Sequence, residues 1–160
     1  MSVNMFLKID DIPGESQNDK HKEWIEILSY SWSGTLPGIA EVGGGLAAGK
    51  PDVSDLNLMK YMDKSTPKLF VACCNGKPKP KMVLEIDRAS ENPIPYLKFT
   101  LENVGVTSFS SSGSGGGSVP SESVSLSYTK VTIDYTPLDE KGSPQGTVSA
   151  NYDIKKGESS

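Results

Sequence analysis

The segment Gly44–Lys50 has the spacing of a phosphate-binding loop, G-x-x-x-x-G-K, whose backbone N–H groups cradle the phosphates of a nucleotide. Two features argue against that function. Magnesium binding requires Ser or Thr directly after the lysine, and this chain has Pro51 there. The motif should also lead into a helix, whereas the residues that follow alternate as in a β-strand. We therefore interpret the segment as a flexible loop with a basic end.

Nucleophilic catalysis would have to use His21, which is the only histidine in the chain. A serine triad, or a nucleophile at Cys73 or Cys74, needs an imidazole as its base. His21 stands in a charged stretch that is typical of a solvated turn. The carboxylate pairs Asp10–Asp11 and Asp139–Glu140 stand beside turn residues, where surface solubility explains them better than a glycosidase site does. The sequence therefore predicts no enzyme and no catalytic, cofactor or metal site.

The two cysteines, Cys73 and Cys74, are adjacent, which makes a strained disulfide and a poor zinc site. We expect both to be reduced, one buried and the other partly buried. The sequence has no secretory signal pattern, and no apolar run approaches the ~20 residues of a membrane helix. We expect a protein made in the cytoplasm, without membrane insertion, whose export would need no cleaved signal peptide.

The charge balance excludes a typical nucleic-acid binder. Sixteen Lys and Arg stand against twenty Asp and Glu, so the formal net charge is −4. The compact basic run Lys77–Lys81 is interrupted by Pro78 and Pro80, which is typical of a solvated turn. A protein that neutralises phosphates needs a basic face, and none is predicted here.

Alternating apolar and polar residues predict a mainly β protein, and the length predicts a single domain over residues 1–160. The one predicted helix has Thr66 at the N-cap, Pro67 at the first position and Gly76 past its end. Seven or eight strands and one flanking helix favour a two-sheet β-barrel or sandwich. Strands are predicted near residues 3–8, 23–33, 52–61, 82–86, 97–106, 124–135 and 147–154, with an extended loop at 36–50, a flexible Ser/Gly loop at 110–118 and a mobile tail at 155–160.

The second predicted strand has two unlike faces. One face carries aromatic and apolar residues, namely Trp24, Leu28, Tyr30 and Trp32. The other begins with Ile25 and Ile27 and continues with Ser29, Ser31 and Ser33. This change from apolar to small polar residues predicts a strand that leaves the core for a different surface. The aromatic face is either a core or interface stripe, which is commoner, or a platform for sugars.

A set of motifs, in order along nearly the whole chain, resembles the haemolysin-coregulated protein (Hcp) family. The matching segments are Met5–Ile9 with Gly14–Ser16, Ser31–Trp32, Gly43–Gly45 through Gly49–Lys50, Lys60–Pro67 with Leu69, Ala72, Cys73 and Gly76, and Val131–Tyr135. The resemblance implies a tube subunit of the type VI secretion system and no catalytic site or cofactor. It further implies a two-sheet β-barrel with a short flanking helix, assembled as a homohexameric ring.

The resemblance also implies partners. Stacked rings form a tube inside a contractile sheath, with a spike protein at the tip, and the tube is expelled carrying effector proteins in its lumen. On this basis we expect Ser29, Ser31 and Ser33 to face the lumen and its cargo. The loop 36–50 is expected to contact the neighbouring ring through Leu36, Ile39, Val42, Leu46 and Lys50.

Two other functions remain open from the residues alone. A monomeric β-barrel that binds carbohydrate would use the aromatic face of the second strand. A hydrolase would use His21 or a carboxylate pair. A ring subunit differs from both because it has a defined oligomeric state and needs no ligand for stability.

Overall fold

The computed structural model describes residues 2–37, 50–90 and 93–160. These ranges contain twelve strands and one helix, which confirms the prediction of a mainly β chain with one short helix. No helix in these ranges is long and apolar enough to cross a membrane. The elements are β1 (Val3–Ile9), β2 (Ile25–Ile27), β3 (Ser29–Ser31), β4 (Gly34–Thr35), β5 (Asp52–Val53), β6 (Leu56–Tyr61), α1 (Thr66–Asn75), β7 (Lys79–Arg88), β8 (Pro95–Ser112), β9 (Ser121–Ser127), β10 (Lys130–Tyr135), β11 (Val148–Asp153) and β12 (Glu158–Ser159).

The strands form two antiparallel sheets that share β8. Sheet A has the order β12-β11-β10-β8-β7-β1-β2, and sheet B has the order β3-β6-β9-β8. Strands β4 and β5 pair separately as a short ribbon. Apolar residues from both sheets, such as Leu84 and Leu101 of sheet A and Leu58 and Leu126 of sheet B, lie in one core cluster. The two sheets therefore face each other across a common core.

The predicted strand over residues 23–33 is wrong as a continuous element, because the chain changes sheet at Leu28. Strand β2 pairs with β1 in sheet A, and β3 pairs with β6 in sheet B. At this point the core-facing positions switch from odd numbers, the buried Ile25 and Ile27, to even numbers, the partly buried Tyr30 and Trp32. Leu28 itself is 48% exposed. The predicted single face of Trp24, Leu28, Tyr30 and Trp32 therefore does not exist.

Other predicted boundaries also differ from the structure. The predicted strand 124–135 divides into β9 in sheet B and β10 in sheet A, so the chain changes sheet again near Thr129. Strand β8 continues to Ser112 in pairing with β9, so the predicted Ser/Gly loop begins after Ser112 rather than at Ser110. Part of the predicted mobile tail forms β12, which pairs with β11.

Strand β8 passes from sheet A to sheet B through a backbone bend at Asn103. Its residues pair with β10 up to Glu102 and with β7 up to Val104, and those from Gly105 pair with β9. Asn103 has a φ of 52°, in the left-handed region that asparagine tolerates better than most residues. Two consecutive exposed residues stand there between buried Leu101 and Val104, so the bend resets which side faces the core.

The helix α1 begins one residue earlier than predicted, with Ser65 rather than Thr66 at the N-cap and Gly76 in the left-handed conformation at its end. Only Leu69 and Ala72 are buried, so it packs against the sheets with a narrow face. The helical spacing of Leu69, Phe70 and Cys73 predicts an apolar stripe on this face. Phe70 does not belong to it, because it is 53% exposed and lies edge-on to Phe109 of β8. Of the two free thiols, Cys73 is partly buried and Cys74 is exposed, whereas we expected one to be fully buried.

A buried ion pair, which the sequence analysis missed, holds the start of α1 against sheet B. Lys60 of β6 is 1% exposed, and its Nζ lies 2.5 Å from Oε1 of Glu122 of β9, whose side chain is fully buried. The same Glu122 oxygen accepts a hydrogen bond from Thr66 Oγ1 at 2.9 Å. Asp63 lies 3.2 Å from the Lys60 ammonium. Each charged residue occupies a core-facing position of a strand whose other core-facing residues are apolar. A charge at such a position is visible in the alternation of the sequence and could have revealed the pair.

We expect Glu122→Gln to lower the free energy of unfolding by about 3 kcal/mol, because Lys60 would keep a buried charge without its main partner. The double variant Lys60→Met/Glu122→Leu should recover most of that loss, since it removes both charges. Urea denaturation measures the free energy of unfolding of both variants. The matched control is Glu102→Gln at the exposed pair with Lys130, where the charges lie 3.9 Å apart and a change below about 1 kcal/mol is expected. Equal losses at the two sites would contradict the prediction.

We expect Asn103→Val to lower the free energy of unfolding by about 1–2 kcal/mol, because a β-branched residue is strained at a left-handed φ. Asn103→Gly is the matched control, because it removes the same exposed side chain but permits the conformation. Its effect should stay within about 1 kcal/mol. Urea denaturation of both variants provides the comparison, and a valine variant as stable as the glycine variant would refute a role for this bend.

Candidate functional site: the serine face of sheet B

The outward side of sheet B forms a surface of small polar residues. Two rows of paired positions cross β3, β6, β9 and β8, and together they define the serine face. One row is Ser31, Asn57, Ser125 and Ser108, and the other is Ser29, Met59, Ser123 and Ser110. None of these eight side chains carries a formal charge.

Alternation along the central strands places these residues outward. Successive side chains of a strand point to opposite faces, so the inward Leu56 and Leu58 of β6 leave Asn57 and Met59 on the outside. Strand β9 reads S-E-S-V-S-L-S, with its Glu, Val and Leu buried and its serines less so. The same pattern that builds the core therefore builds the serine face.

Hydrogen bonds connect neighbouring strands across this face. Ser108 Oγ donates to Ser125 Oγ at 2.8 Å, and Ser125 Oγ donates to Asn57 Oδ1 at 2.6 Å. At the margin, Thr107 Oγ1 donates to Asp55 Oδ2 at 2.7 Å. Hydroxyl and amide groups can exchange such bonds with water or with another molecule at little net cost, because a neutral hydrogen bond contributes only about 1 kcal/mol. The arrangement suits weak contacts rather than covalent chemistry.

The structure brings two of the three predicted lumen residues, Ser29 and Ser31, onto the serine face. Ser33 is exposed just beyond β3, and its backbone N–H donates to Ser54 Oγ at 2.8 Å. Sequence reasoning missed the serines of β8 and β9 and missed Asn57. The strict serine alternation of β9 was a usable signal, but the register that joins it to β3 through β6 was not visible in the sequence.

The structure describes only some of the loop residues that we expect to contact a neighbouring ring. Leu36 is 57% exposed, and Lys50 is also exposed, on either side of the β4–β5 ribbon. Ile39, Val42 and Leu46 lie outside the described residues, as does the glycine motif except for its final Lys50. Lys50 is followed by strand β5 rather than by a helix, which agrees with our interpretation that the motif is not a phosphate loop.

The aromatic residues near the serine face belong to the core and not to a sugar platform. The rings of Tyr30 and Trp32 lie edge-on to Phe99, with centroids 5.5 and 5.2 Å away. Trp32 Nε1 donates to the Tyr128 hydroxyl at 2.6 Å, which in turn donates to the Ser54 carbonyl at 2.8 Å. Burial raises the pKa of the Tyr128 hydroxyl above its ordinary value. These contacts remove the main support for the carbohydrate-binding alternative.

The prediction that His21 lies in a solvated turn is wrong. Its side chain is 1% exposed and stacks on Phe6 with ring centroids 4.3 Å apart. The ring nitrogens face Glu85 Oε2 at 2.6 Å and Asn18 Oδ1 at 3.0 Å. The flanking charged residues are exposed while His21 alone turns inward, so the composition of the segment concealed its burial. Its polar contacts are two carboxylates and an amide, so among the described residues no serine or cysteine nucleophile is hydrogen-bonded to the ring.

Comparison with known proteins identifies the family. A family model described as "Type VI secretion system effector, Hcp" matches residues 6–135. The chain is 44% identical to protein hcp1 of Pseudomonas aeruginosa over 147 residues, which is 91% of each chain. A solved type six secretion system protein has a TM-score of 0.94 at 31% identity, covering 99% of this chain and 100% of its own. Hcp1 from Salmonella typhimurium has a TM-score of 0.80 at 37% identity, covering 100% of both.

The resemblance found in the sequence is therefore confirmed over nearly the full length of the chain. The curated relative shares 44% of its residues with this chain, and Hcp1 from Salmonella typhimurium shares the fold at 37% identity. The chain belongs to the Hcp family, the non-enzymatic secreted tube proteins of the type VI secretion system.

Proposed function

We propose that this chain is a single-domain subunit, residues 1–160, of a closed homohexameric ring whose serine face lines the central channel. Rings stack into the inner tube, which sheath contraction expels with a spike protein at its tip and effector proteins in its lumen. The observation that carries the proposal is the serine face itself, an uncharged hydroxyl surface covering four adjacent strands.

The chemistry of the serine face suits a channel for varied cargo. Met59 is 39% exposed and is the only large apolar group among its eight residues. The other side chains are short, so they offer single hydrogen bonds that water can replace. Six copies would line the channel with weak, exchangeable contacts. An effector could then be held during assembly and released without a specific trigger.

The sheet edges support assembly by lateral contacts. Within the described residues, β2, β3 and β12 each pair with one strand, which leaves one edge of each with free backbone groups. Such edges favour pairing with another chain, and closure of a ring is one way to satisfy them. Exposed apolar side chains at Tyr135 and Val148, 46% and 65% exposed, lie on the paired strands β10 and β11 and would also be covered by a neighbour.

The loop 36–50 suits contacts between rings. It joins the two strands of the β4–β5 ribbon, and its sequence carries the apolar residues Leu36, Ile39, Val42 and Leu46. Apolar side chains on a connecting segment are stabilised when a partner surface covers them. In this proposal the subunit is cytoplasmic before assembly and leaves the cell as part of the fired tube, which requires no cleaved signal peptide.

Native mass spectrometry tests the ring and electron microscopy tests the tube. Six copies of the 17.1 kDa chain should give about 103 kDa under closed cyclic symmetry. A variant with Leu36, Ile39, Val42 and Leu46 all changed to Ser should keep this mass but fail to extend into tubes at high concentration. A persistent monomer would overturn the ring and favour a monomeric binding module. Tubes of normal length from the serine variant would overturn the role of the loop.

A second experiment asks which face lines the channel. In a Cys73→Ala/Cys74→Ser background, Ser31→Cys and Lys22→Cys would each carry a compact electron-dense maleimide label. Ser31 lies on the outward side of sheet B, and exposed Lys22 lies in the segment that covers the outward side of sheet A, across the core. Averaged ring images should place the Ser31 label inside the central opening and the Lys22 label outside. The reverse positions would refute the proposed orientation.

A further inference from the structure

A buried polar cluster lies on the opposite side of the molecule from the serine face. It forms where the segment 13–24 covers the outward side of sheet A. Glu85 and Asp87 project there from alternate positions of β7, and His21 and Asn18 come from the covering segment. Gly14 permits this close approach, because a Cβ at that position would lie 2.5 Å from the Ile25 Cα atom.

Asp87 is the unexplained member of the cluster. Its side chain is fully buried, and neither carboxylate oxygen has a hydrogen-bond partner among the residues that the structure describes. Burial is the main cause that raises the pKa of Asp87 above its ordinary value, and the nearby Glu85 carboxylate raises it further, while His21 and Lys20 act in the opposite direction. A buried carboxylate without hydrogen bonds is costly unless a cation compensates it.

The histidine ring is oriented by partners on both sides. Its Nε2 lies 2.6 Å from Glu85 Oε2, so Nε2 carries a proton that the carboxylate accepts. Its Nδ1 lies 3.0 Å from Asn18 Oδ1 and 3.6 Å from Asp87 Oδ2. The backbone N–H of Lys20 donates to Asn18 Oδ1 at 3.0 Å, which establishes that the amide turns its oxygen, not its NH₂ group, toward the ring.

We propose that this cluster is a binding site for a divalent transition-metal cation, with His21 Nδ1, Asn18 Oδ1 and Asp87 Oδ2 as ligands. Two atoms that each lie about 2.0–2.2 Å from one metal are separated by roughly 3.0–3.6 Å. The distances from Nδ1 to the two oxygens fall in that range. Glu85 is the orienting carboxylate that accepts the proton of the other ring nitrogen, an arrangement typical of metal-binding histidines.

The donor set indicates the class of metal. One imidazole nitrogen with two oxygen ligands suits Zn²⁺ or Mn²⁺ better than Mg²⁺ or Ca²⁺, which prefer oxygen alone. Binding replaces the proton through which Nδ1 donates to Asn18 Oδ1, and that proton leaves to solvent. The Asp87 carboxylate then faces a divalent cation in place of the singly charged imidazolium. The metal would tie segment 13–24 to sheet A, and this role is independent of ring formation.

The test is isothermal titration of chelator-treated protein with Zn²⁺ in the Cys73→Ala/Cys74→Ser background, which removes competing thiols. We expect one zinc ion per chain and a higher melting temperature when zinc is present. Asp87→Asn should abolish both effects while keeping the side-chain shape. Glu85→Gln should weaken zinc binding by roughly 10–100-fold, because the Glu85 carboxylate orients the His21 ring but does not bind the metal. Asp19→Asn, an exposed change in the same segment, is the control and should bind as the parent does.

Nitrogen-15 NMR provides a readout that does not depend on stability. Since His21 is the only histidine, its two ring nitrogens give unambiguous signals. Zinc should shift the Nδ1 signal strongly and leave Nε2 protonated. Absence of saturable zinc binding, or equal affinity in Asp87→Asn, would overturn the proposal. The cluster would then be a metal-free arrangement in which both ring nitrogens are protonated and the imidazolium alone compensates the carboxylates.

Discussion

The fold depends on one strand that belongs to both sheets. The first part of β8 pairs with β7 and β10, and its last part pairs with β9. A strand that bends this way must reset its inward side, and the left-handed backbone at Asn103 does so by placing two exposed residues in succession. Because the other strands of each sheet extend from β8, this bend sets how the two sheets face each other across the core.

Most of the regular structure could be predicted because each strand buries one face. Period-two alternation is visible in β1, β6 and β7, so those strands were found directly. The sheet changes at Leu28 and near Thr129 were missed for a physical reason. Apolar and polar residues go on alternating where the chain changes sheet, but the core-facing positions change there from odd to even numbers. Tyr30 and Trp32 therefore looked like a second apolar face of one strand.

Some residues of the candidate site could be predicted from the sequence, and others could not. Ser29 and Ser31 could be chosen from one strand because their contrast with Ile25 and Ile27 is local. Their neighbours on the serine face come from β6, β9 and β8, and the register between distant strands has no local signal. The burial of His21 was equally hidden, because its partner Glu85 lies 64 residues further along the chain. Contacts between residues that are far apart in the chain cannot be inferred from a single sequence.

Charge is distributed unevenly between the two outward sides of the molecule. The side covered by segment 13–24 holds the partly buried Glu85 and the buried Asp87, and it is flanked by exposed Lys20, Lys22 and Glu23. The serine face has no formal charge, although the chain carries −4. In the proposed sixfold ring, any charged residue on that face would be repeated around the proposed channel, and the summed field would select cargo by its charge. Neutral hydroxyl groups avoid that selection, so a channel for varied effectors favours serine at these positions.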